Sequence, residues 1–145
     1  HTWVVATAHE GLSTPSVFGR FDDLGDVHEV CVPTPLIAAL ATSDAEDIAD
    51  LMGNDLQPAA VSLRPDLADV LAEGRRAGAR AALVSGSGPT CVFLALDESA
   101  AHRIAAQLVQ LPQVRTTRIA TGPVAGAQLL PNVVGSARDT AGSAR

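Results

Sequence analysis

Short apolar runs bounded by Gly, Pro and Ser alternate along the chain with longer stretches of helical periodicity. The apolar runs predict buried strands at residues 3–6, 81–84, 90–96 and 114–120, and one more short strand at residues 127–130. After the first run, apolar residues recur at three- and four-residue spacing, which indicates several helices. One further helix, residues 98–111, separates the third run from the fourth. The predicted order is therefore β, several helices, β, β, α, β.

The first helix has a clear start signal in its sequence. Thr14 is its predicted N-cap, and Pro15 suits the first helical position because the N–H that proline lacks has no intrahelical partner there. The apolar positions that follow share one helical face and comprise Val17, Phe18, Phe21 and Leu24. Gly25 is predicted to end the helix.

The later helices carry similar signals. A second Thr-Pro pair at residues 34–35 predicts another helix start, and residues 43–46 read S-x-x-E, a capping box. Gly53 is predicted to close that helix in the left-handed conformation, and residues 54–57 to form a further cap. A helix beginning near Asp66 is predicted to end at Gly78. Its predicted inner face comprises Leu67, Val70 and Leu71.

This element order predicts the fold class. Two adjacent strands, preceded by a strand and several helices and followed by one helix and a strand, are typical of the split βαβ, or ferredoxin-like, arrangement. We therefore expect an α+β domain with an antiparallel sheet and helices on one face. The helical layer after the first strand is longer than in the simplest version of this fold. Because the fold hosts many activities, it does not by itself identify a function.

Composition narrows the classes of protein that fit. The 145 residues are 47% hydrophobic, which suits one globular domain. The formal charge is −6, lysine is absent and aromatic residues are 3%, all of which argue against a nucleic-acid binder. No apolar run is long enough to span a membrane. Cys31 and Cys91 lack metal-like spacing and are interpreted as reduced thiols of a cytoplasmic protein.

The loop between the second and third strands, SGSGP at residues 85–89, is the site-like feature of the sequence. One interpretation is a tight hairpin turn, which Gly, Ser and Pro ordinarily form. The other is an anion-binding nest of backbone N–H groups, with the helix start at Thr14 as a neighbour. The loop is neither a Walker A motif, which needs a lysine, nor G-x-G-x-x-G, because Cys91 stands where the third glycine would fall. No residue set has the spacing of a metal site or a catalytic pair.

Two stretches considered together resemble a known family. Residues 86–91, GSGPTC, between two strands resemble the third conserved motif of the GHMP kinases. Residues 12–18, LSTPSVF, resemble the branch that phosphorylates a cytidine diphosphate-linked methylerythritol, as do residues 54–57 and 120–124. The likeness is to actinobacterial sequences and runs from about residue 3 to residue 130. The glycine motif alone indicates only the superfamily, and the Thr-Pro-x-x-Phe helix start favours the branch.

The resemblance implies a C-terminal kinase domain at residues 1–131 and a flexible tail at residues 132–145. The N-terminal ATP-binding domain, with the phosphate loop and the catalytic residues, would be absent from this chain, so no catalytic residue is assigned here. Since the chain lacks an initiator Met and opens inside a strand-like run, it is expected to be a fragment. It is expected to be inactive alone because the phosphate loop and the catalytic residues are absent. The intact enzyme is expected to use ATP with Mg, in the cytoplasm, to phosphorylate the substrate's 2-hydroxyl in non-mevalonate isoprenoid biosynthesis. Its partners would be that small molecule and the N-terminal lobe, with no nucleic acid and no membrane.

The resemblance also implies site residues. Thr14 and Pro15 would line the substrate pocket, and Phe18 would stack on the cytosine ring, unless Phe18 is simply part of the core. The loop near the phosphates would comprise Gly86, Ser87, Gly88, Pro89 and Thr90. The rival interpretations are another GHMP kinase, such as a homoserine kinase, and a ferredoxin-like binding module without catalysis, in which the loop is only a turn.

Overall fold

The computed structural model describes residues 1–25, 32–42 and 45–127. Four strands and six helices lie within these ranges. The strands are β1 (Thr2–Ala8), β2 (Ala81–Val84), β3 (Cys91–Ala95) and β4 (Val114–Thr121). The helices are α1 (Thr14–Leu24), α2 (Thr34–Thr42), α3 (Ala45–Ala49), α4 (Gln57–Leu63), α5 (Asp66–Arg76) and α6 (Glu98–Leu108).

The four strands form one antiparallel sheet in the order β2-β3-β1-β4. The first strand in sequence is therefore central, and β4 reaches its other side after the α6 crossover. Val4 of β1 lies between Phe93 of β3 and Ile119 of β4, and Phe93 also faces Ala82 of β2. This order is that of the split βαβ fold, so the predicted fold class is confirmed.

One face of the sheet carries the main core. Val4, Phe93 and Ala82 point from the strands into a buried cluster with apolar residues of α1, α4, α5 and α6. The predicted inner face of α5, Leu67, Val70 and Leu71, is buried there. So is Gly74, whose missing side chain leaves room for the ring of Phe93. This face holds the helical layer that the sequence predicted.

The opposite face has a second, smaller core. Its strand residues include Leu94 and Ala81, with Trp3 packed against them. Ile48 of α3 is fully buried in this cluster, and Leu36 of α2 packs at its margin. The short helices α2 and α3 therefore lie against this second face, so the expectation of helices on one face alone was wrong for these two.

Local details differ from the sequence prediction at two helix ends. The N-cap of α1 is Ser13, whose side chain accepts the Ser16 N–H at 3.4 Å, so the prediction of Thr14 was wrong by one residue. Proline fits either of the first two helical positions, which is why the pattern did not fix the register. Gly25 ends α1 in the left-handed conformation, as predicted. Gly53 does not, because α3 already ends at Ala49.

Some predicted features lie outside the described residues. They are the capping-box residues Ser43 and Asp44, most of the short strand at residues 127–130, the tail at residues 132–145, and Cys31. The helix predicted at residues 98–111 ends earlier, at Leu108.

Candidate functional site

The loop at residues 85–90 joins β2 to β3 as a hydrogen-bonded turn. The Ser85 N–H donates to the Thr90 carbonyl at 2.8 Å, and the Gly88 N–H donates to the Ser85 carbonyl at 3.0 Å. Gly86 and Gly88 have φ of 57° and 78°, a backbone conformation that glycine adopts far more readily than other residues. The turn interpretation is therefore correct as a description of the backbone. It leaves open which groups the turn presents.

The loop touches the start of α1. The Thr14 and Ser87 hydroxyls lie 2.8 Å apart, within hydrogen-bond distance, although 73 positions separate them in sequence. Thr14 is exposed, and Ser87 is half-buried. Two segments that the sequence singled out separately thus meet at one point on the surface. The N-terminus of α1, where the helix dipole is positive, lies at this same place on the surface.

Phe18 lies one helical turn beyond Thr14. Residues four apart share a helix face, about 6 Å from each other along the axis. The Phe18 side chain is 50% exposed, whereas Val17 beside it is fully buried and Phe21 packs against the core. Phe18 is therefore not a core residue. It offers an aromatic surface on the same side of α1 as the Thr14 contact with Ser87.

Gly88 sits tightly over the main core. A Cβ at Gly88 would lie 2.8 Å from Val84 Cγ1, and Leu12 and Leu67 also come close. Gly86 is different, because a Cβ there would meet nothing within 4 Å. The loop is thus packed on its Gly88 side and open on its Gly86 side.

Asn54, in the turn before α4, and Gln57, the first residue of α4, bind the backbone at the end of β2. The Asn54 Nδ2 group donates to the carbonyls of Val84, at 2.7 Å, and Gly86, at 2.9 Å. Gln57 Oε1 accepts the Val84 N–H at 2.9 Å. The sequence predicted residues 54–57 as a helix cap, which was wrong: the N-cap of α4 is Leu56, and it makes no side-chain cap bond. Asn54 Oδ1 instead accepts the Leu56 N–H, just before the helix, at 3.1 Å. Its contacts with Val84 and Gly86 join distant parts of the chain, which a local pattern could not indicate.

A cavity of about 10 Å³, with room for no more than one water molecule, is lined by Pro89, Cys91 and Gln113 together with Arg64 and Asp66. Arg64 and Asp66 bind each other, whereas Gln113 Oε1 is buried without a hydrogen-bond partner among the described residues. Arg64 donates two hydrogen bonds to the Asp66 carboxylate, at 2.7 and 2.9 Å, and these lower the pKa of Asp66. Burial raises the pKa of the Cys91 thiol to about 12, so the thiolate nucleophile is suppressed near neutral pH. This cavity does not hold an activated acid, base or nucleophile.

The described residues contain no group of three or more His, Cys, Asp or Glu side chains placed to hold a metal ion. No helix among them is both long and apolar enough to cross a membrane. The candidate site thus consists of hydroxyls, backbone N–H groups and one exposed aromatic ring. Such groups can bind and orient an anionic, ring-containing ligand.

The chain belongs to the GHMP kinase family. Residues 36–112 match the family model described as "GHMP kinases C terminal". This match covers β2, β3 and the loop between them, together with Asn54 and Gln57. The family predicted from residues 86–91 is confirmed.

Two relatives that the chain resembles carry the name of the same kinase. The chain is 54% identical, over 94% of its length, to the 4-diphosphocytidyl-2-C-methyl-D-erythritol kinase of Cutibacterium acnes, of which it covers 44%. It is 50% identical, over 89% of its length, to the kinase of the same name from Mycolicibacterium smegmatis, of which it covers 42%. The chain therefore spans less than half the length of these relatives.

Solved structures show the same architecture. A crystal structure of 4-(cytidine 5'-diphospho)-2C-methyl-D-erythritol kinase matches 81% of this chain and 41% of its own chain, with 25% identity and a TM-score of 0.66. The homoserine kinase of Cytophaga hutchinsonii matches 83% and 41%, with 20% identity and a TM-score of 0.67. The second likeness shows the fold alone.

Proposed function

We propose that this chain is the substrate-side part of a 4-diphosphocytidyl-2-C-methyl-D-erythritol kinase. The observation that carries the proposal is the exposed Phe18 ring, one turn from the contact between Thr14 and Ser87. An aromatic ring and a glycine-rich loop at this spacing suit a ligand with a nucleobase at one end and phosphates nearby. The names of the relatives, at 54% and 50% identity, support the same substrate.

In this proposal Phe18 stacks on the cytosine ring, and Thr14 and Pro15 line the pocket around it. The loop of residues 86–90 then lies near the phosphates. Because neither lysine nor arginine is among these residues, anion binding by them is made by backbone N–H groups, hydroxyls and the α1 dipole. These groups position the substrate for transfer of the ATP γ-phosphoryl to its 2-hydroxyl. Positioning and charge stabilisation account for most of the catalysis of such transfers.

The remaining parts of the proposal concern the whole enzyme. ATP, with Mg, binds mainly to an N-terminal domain outside this chain, which also supplies the catalytic groups. The C-terminal domain is proposed to span residues 1–131. The reaction takes place in the cytoplasm, and the free, buried thiol of Cys91 is consistent with a reducing compartment. This chain alone is expected to lack kinase activity.

The experiment that tests the proposal is a ligand comparison by NMR. This chain is titrated with 4-diphosphocytidyl-2-C-methyl-D-erythritol, with homoserine and with ATP, and the same ligands are assayed as substrates of the full-length kinase. We expect weak, selective binding of the cytidine ligand, with shifts at Phe18 and in residues 86–90, and turnover of that ligand by the full-length protein. Turnover of homoserine instead would contradict the proposal. A full-length protein without kinase activity would favour the binding-module alternative.

Replacing Phe18 by alanine is expected to weaken binding of the cytidine ligand by roughly tenfold to a hundredfold, since base stacking contributes about 1–3 kcal/mol. The free energy of unfolding should change little, because the ring is half exposed. The measurements are the KM of the full-length kinase and the thermal midpoint of this chain. The matched control is Phe21→Ala on the same helix, which removes a core contact and should lower the midpoint. An unchanged KM in Phe18→Ala would refute the stacking role.

A further inference from the structure

The side-chain amide of Asn54 uses both of its N–H groups in hydrogen bonds. Both of its N–H groups donate to carbonyls, one to Val84 and one to Gly86, while Oδ1 accepts the Leu56 N–H. The reverse orientation of the amide would place Oδ1 against two carbonyl oxygens, so the partners fix which atom is which. Asn54 thus ties the start of α4 to the end of β2 and to the glycine loop at once.

The bond to Gly86 fixes one peptide plane within the loop. In a trans peptide the C=O and the N–H point in opposite directions. With the Gly86 carbonyl held by Asn54, the N–H of Ser87 must point away from Asn54 and α4. In the part of the chain that the structure describes, this N–H has no protein acceptor within hydrogen-bond distance. The plane would otherwise turn easily, because Gly86 is exposed and a Cβ there would meet nothing.

The Ser87 side chain is held from the other direction. Its hydroxyl contacts the Thr14 hydroxyl at 2.8 Å. Asn54 therefore orients the Ser87 N–H through its bond to the Gly86 carbonyl, and Thr14 places the Ser87 Oγ. Two fixed points on neighbouring groups give the loop a defined shape before any ligand binds, which is the condition for effective anion stabilisation.

We propose that Asn54 is a positioning residue that aims the Ser87 N–H at a phosphate oxygen of the bound substrates. Asn54 contacts no ligand in this proposal and acts only through the Gly86–Ser87 peptide. The inference rests on the proposed function for the identity of the phosphate. The orientation of the peptide does not depend on it.

Gln57, the first residue of α4, provides a matched control. Like Asn54, it bonds to the backbone of Val84 on the side away from β3, but among the described residues it makes no hydrogen bond to the loop. Gln57→Ala removes one hydrogen bond at the edge of β2 and leaves the Gly86 carbonyl held. Asn54→Asp keeps the oxygen that accepts the Leu56 N–H and removes both donated bonds. Asn54→Ala removes all three without adding charge.

The first measurement is the steady-state kinetics of the full-length kinase and these variants with the cytidine substrate and ATP. We expect Asn54→Asp and Asn54→Ala to lower kcat by about tenfold or more, with a change in substrate KM of less than about threefold. Gln57→Ala should keep kcat near the wild-type value, even at a similarly lowered thermal midpoint. Equal kcat in Asn54→Ala and wild type, or equal losses in Asn54→Ala and Gln57→Ala, would overturn the inference.

A second measurement is independent of turnover. The amide resonance of Ser87 in this chain is compared between wild type, Asn54→Ala and Gln57→Ala by NMR. We expect a large shift in Asn54→Ala and a small one in Gln57→Ala. A Ser87 resonance unmoved by Asn54→Ala would overturn the positioning role of Asn54 even if the enzyme proves to be the proposed kinase. If the wild-type kinase fails to phosphorylate the cytidine substrate while Ser87 shifts as expected, the proposed function fails and the positioning role of Asn54 stands.

Discussion

Replacing Gly74 by valine is expected to lower the free energy of unfolding by about 3 kcal/mol or more. Gly74 is buried on α5, and a Cβ there would lie 2.1 Å from Cε1 of Phe93. Phe93 is completely buried at the centre of the sheet, so its ring cannot turn out toward solvent. For a domain of this size the thermal midpoint should fall by roughly 10 °C, measured by circular dichroism.

The control is a glycine-to-alanine substitution made in two helices, at Gly74 in α5 and at Gly19 in α1. Gly74→Ala should still destabilise, although alanine is the better helix former by about 1 kcal/mol. Gly19→Ala, in the middle of α1 with nothing within 4 Å of its Cβ position, should stabilise by about that amount. A second substitution, Phe93→Leu, should recover part of the loss in Gly74→Ala if the ring is the cause. Equal effects at both glycines would show that the Phe93 contact does not matter.

Replacing Gly88 by valine is expected to cost both stability and activity. Its φ of 78° disfavours any residue with a Cβ, by about 1–2 kcal/mol. The added Cβ would also lie 2.8 Å from Val84 Cγ1, above the main core, and such overpacking typically costs about 1–3 kcal/mol more. Denaturant unfolding of this chain and the kcat of the full-length kinase are the two measurements.

Gly86→Ala separates the two effects. Gly86 shares the left-handed backbone, with φ of 57°, but has open space around its Cβ position. The Gly86→Ala variant should therefore lose only the free energy that a left-handed backbone costs a residue with a Cβ, about 1–2 kcal/mol. A Gly88→Val variant no less stable than Gly86→Ala would contradict the packing argument. Full kcat in a folded Gly88→Val enzyme would contradict the role of the loop in catalysis.

The sequence was sufficient for the order of strands and helices along the chain and for a helix start within one residue of Thr14, because both depend on local patterns. Hydrophobic runs, Thr-Pro pairs and glycine positions act within a few residues of themselves. The N-cap was displaced by one residue to Ser13, since proline fits both of the first helical positions. Gly53 failed as a left-handed cap because α3 ends before reaching it.

Contacts between distant segments could not be predicted in this way. Phe18 belongs to the apolar pattern of α1, and only the packed structure shows that it is exposed while Val17 is buried. Nothing in the local sequence of Asn54 indicates that it bonds to Val84 and Gly86, about 30 positions away. The meeting of Thr14 and Ser87 likewise depends on how α1 packs beside the β2–β3 turn. The family resemblance indicated these residues, and the fold supplies the physical reason that they are close.

The bonds at the outer side of β2 also affect how copies of the molecule meet. An edge strand usually presents free N–H and C=O groups that a strand from another copy can pair with, which leads to aggregation. Here the outer N–H of Val84 is taken by Gln57 and its carbonyl by Asn54, while Arg75 donates to the carbonyl of Ala82 at 2.9 Å. Three side chains thus occupy the positions of a neighbouring strand. The β2 edge is thereby closed to sheet extension, which favours solubility at high protein concentration.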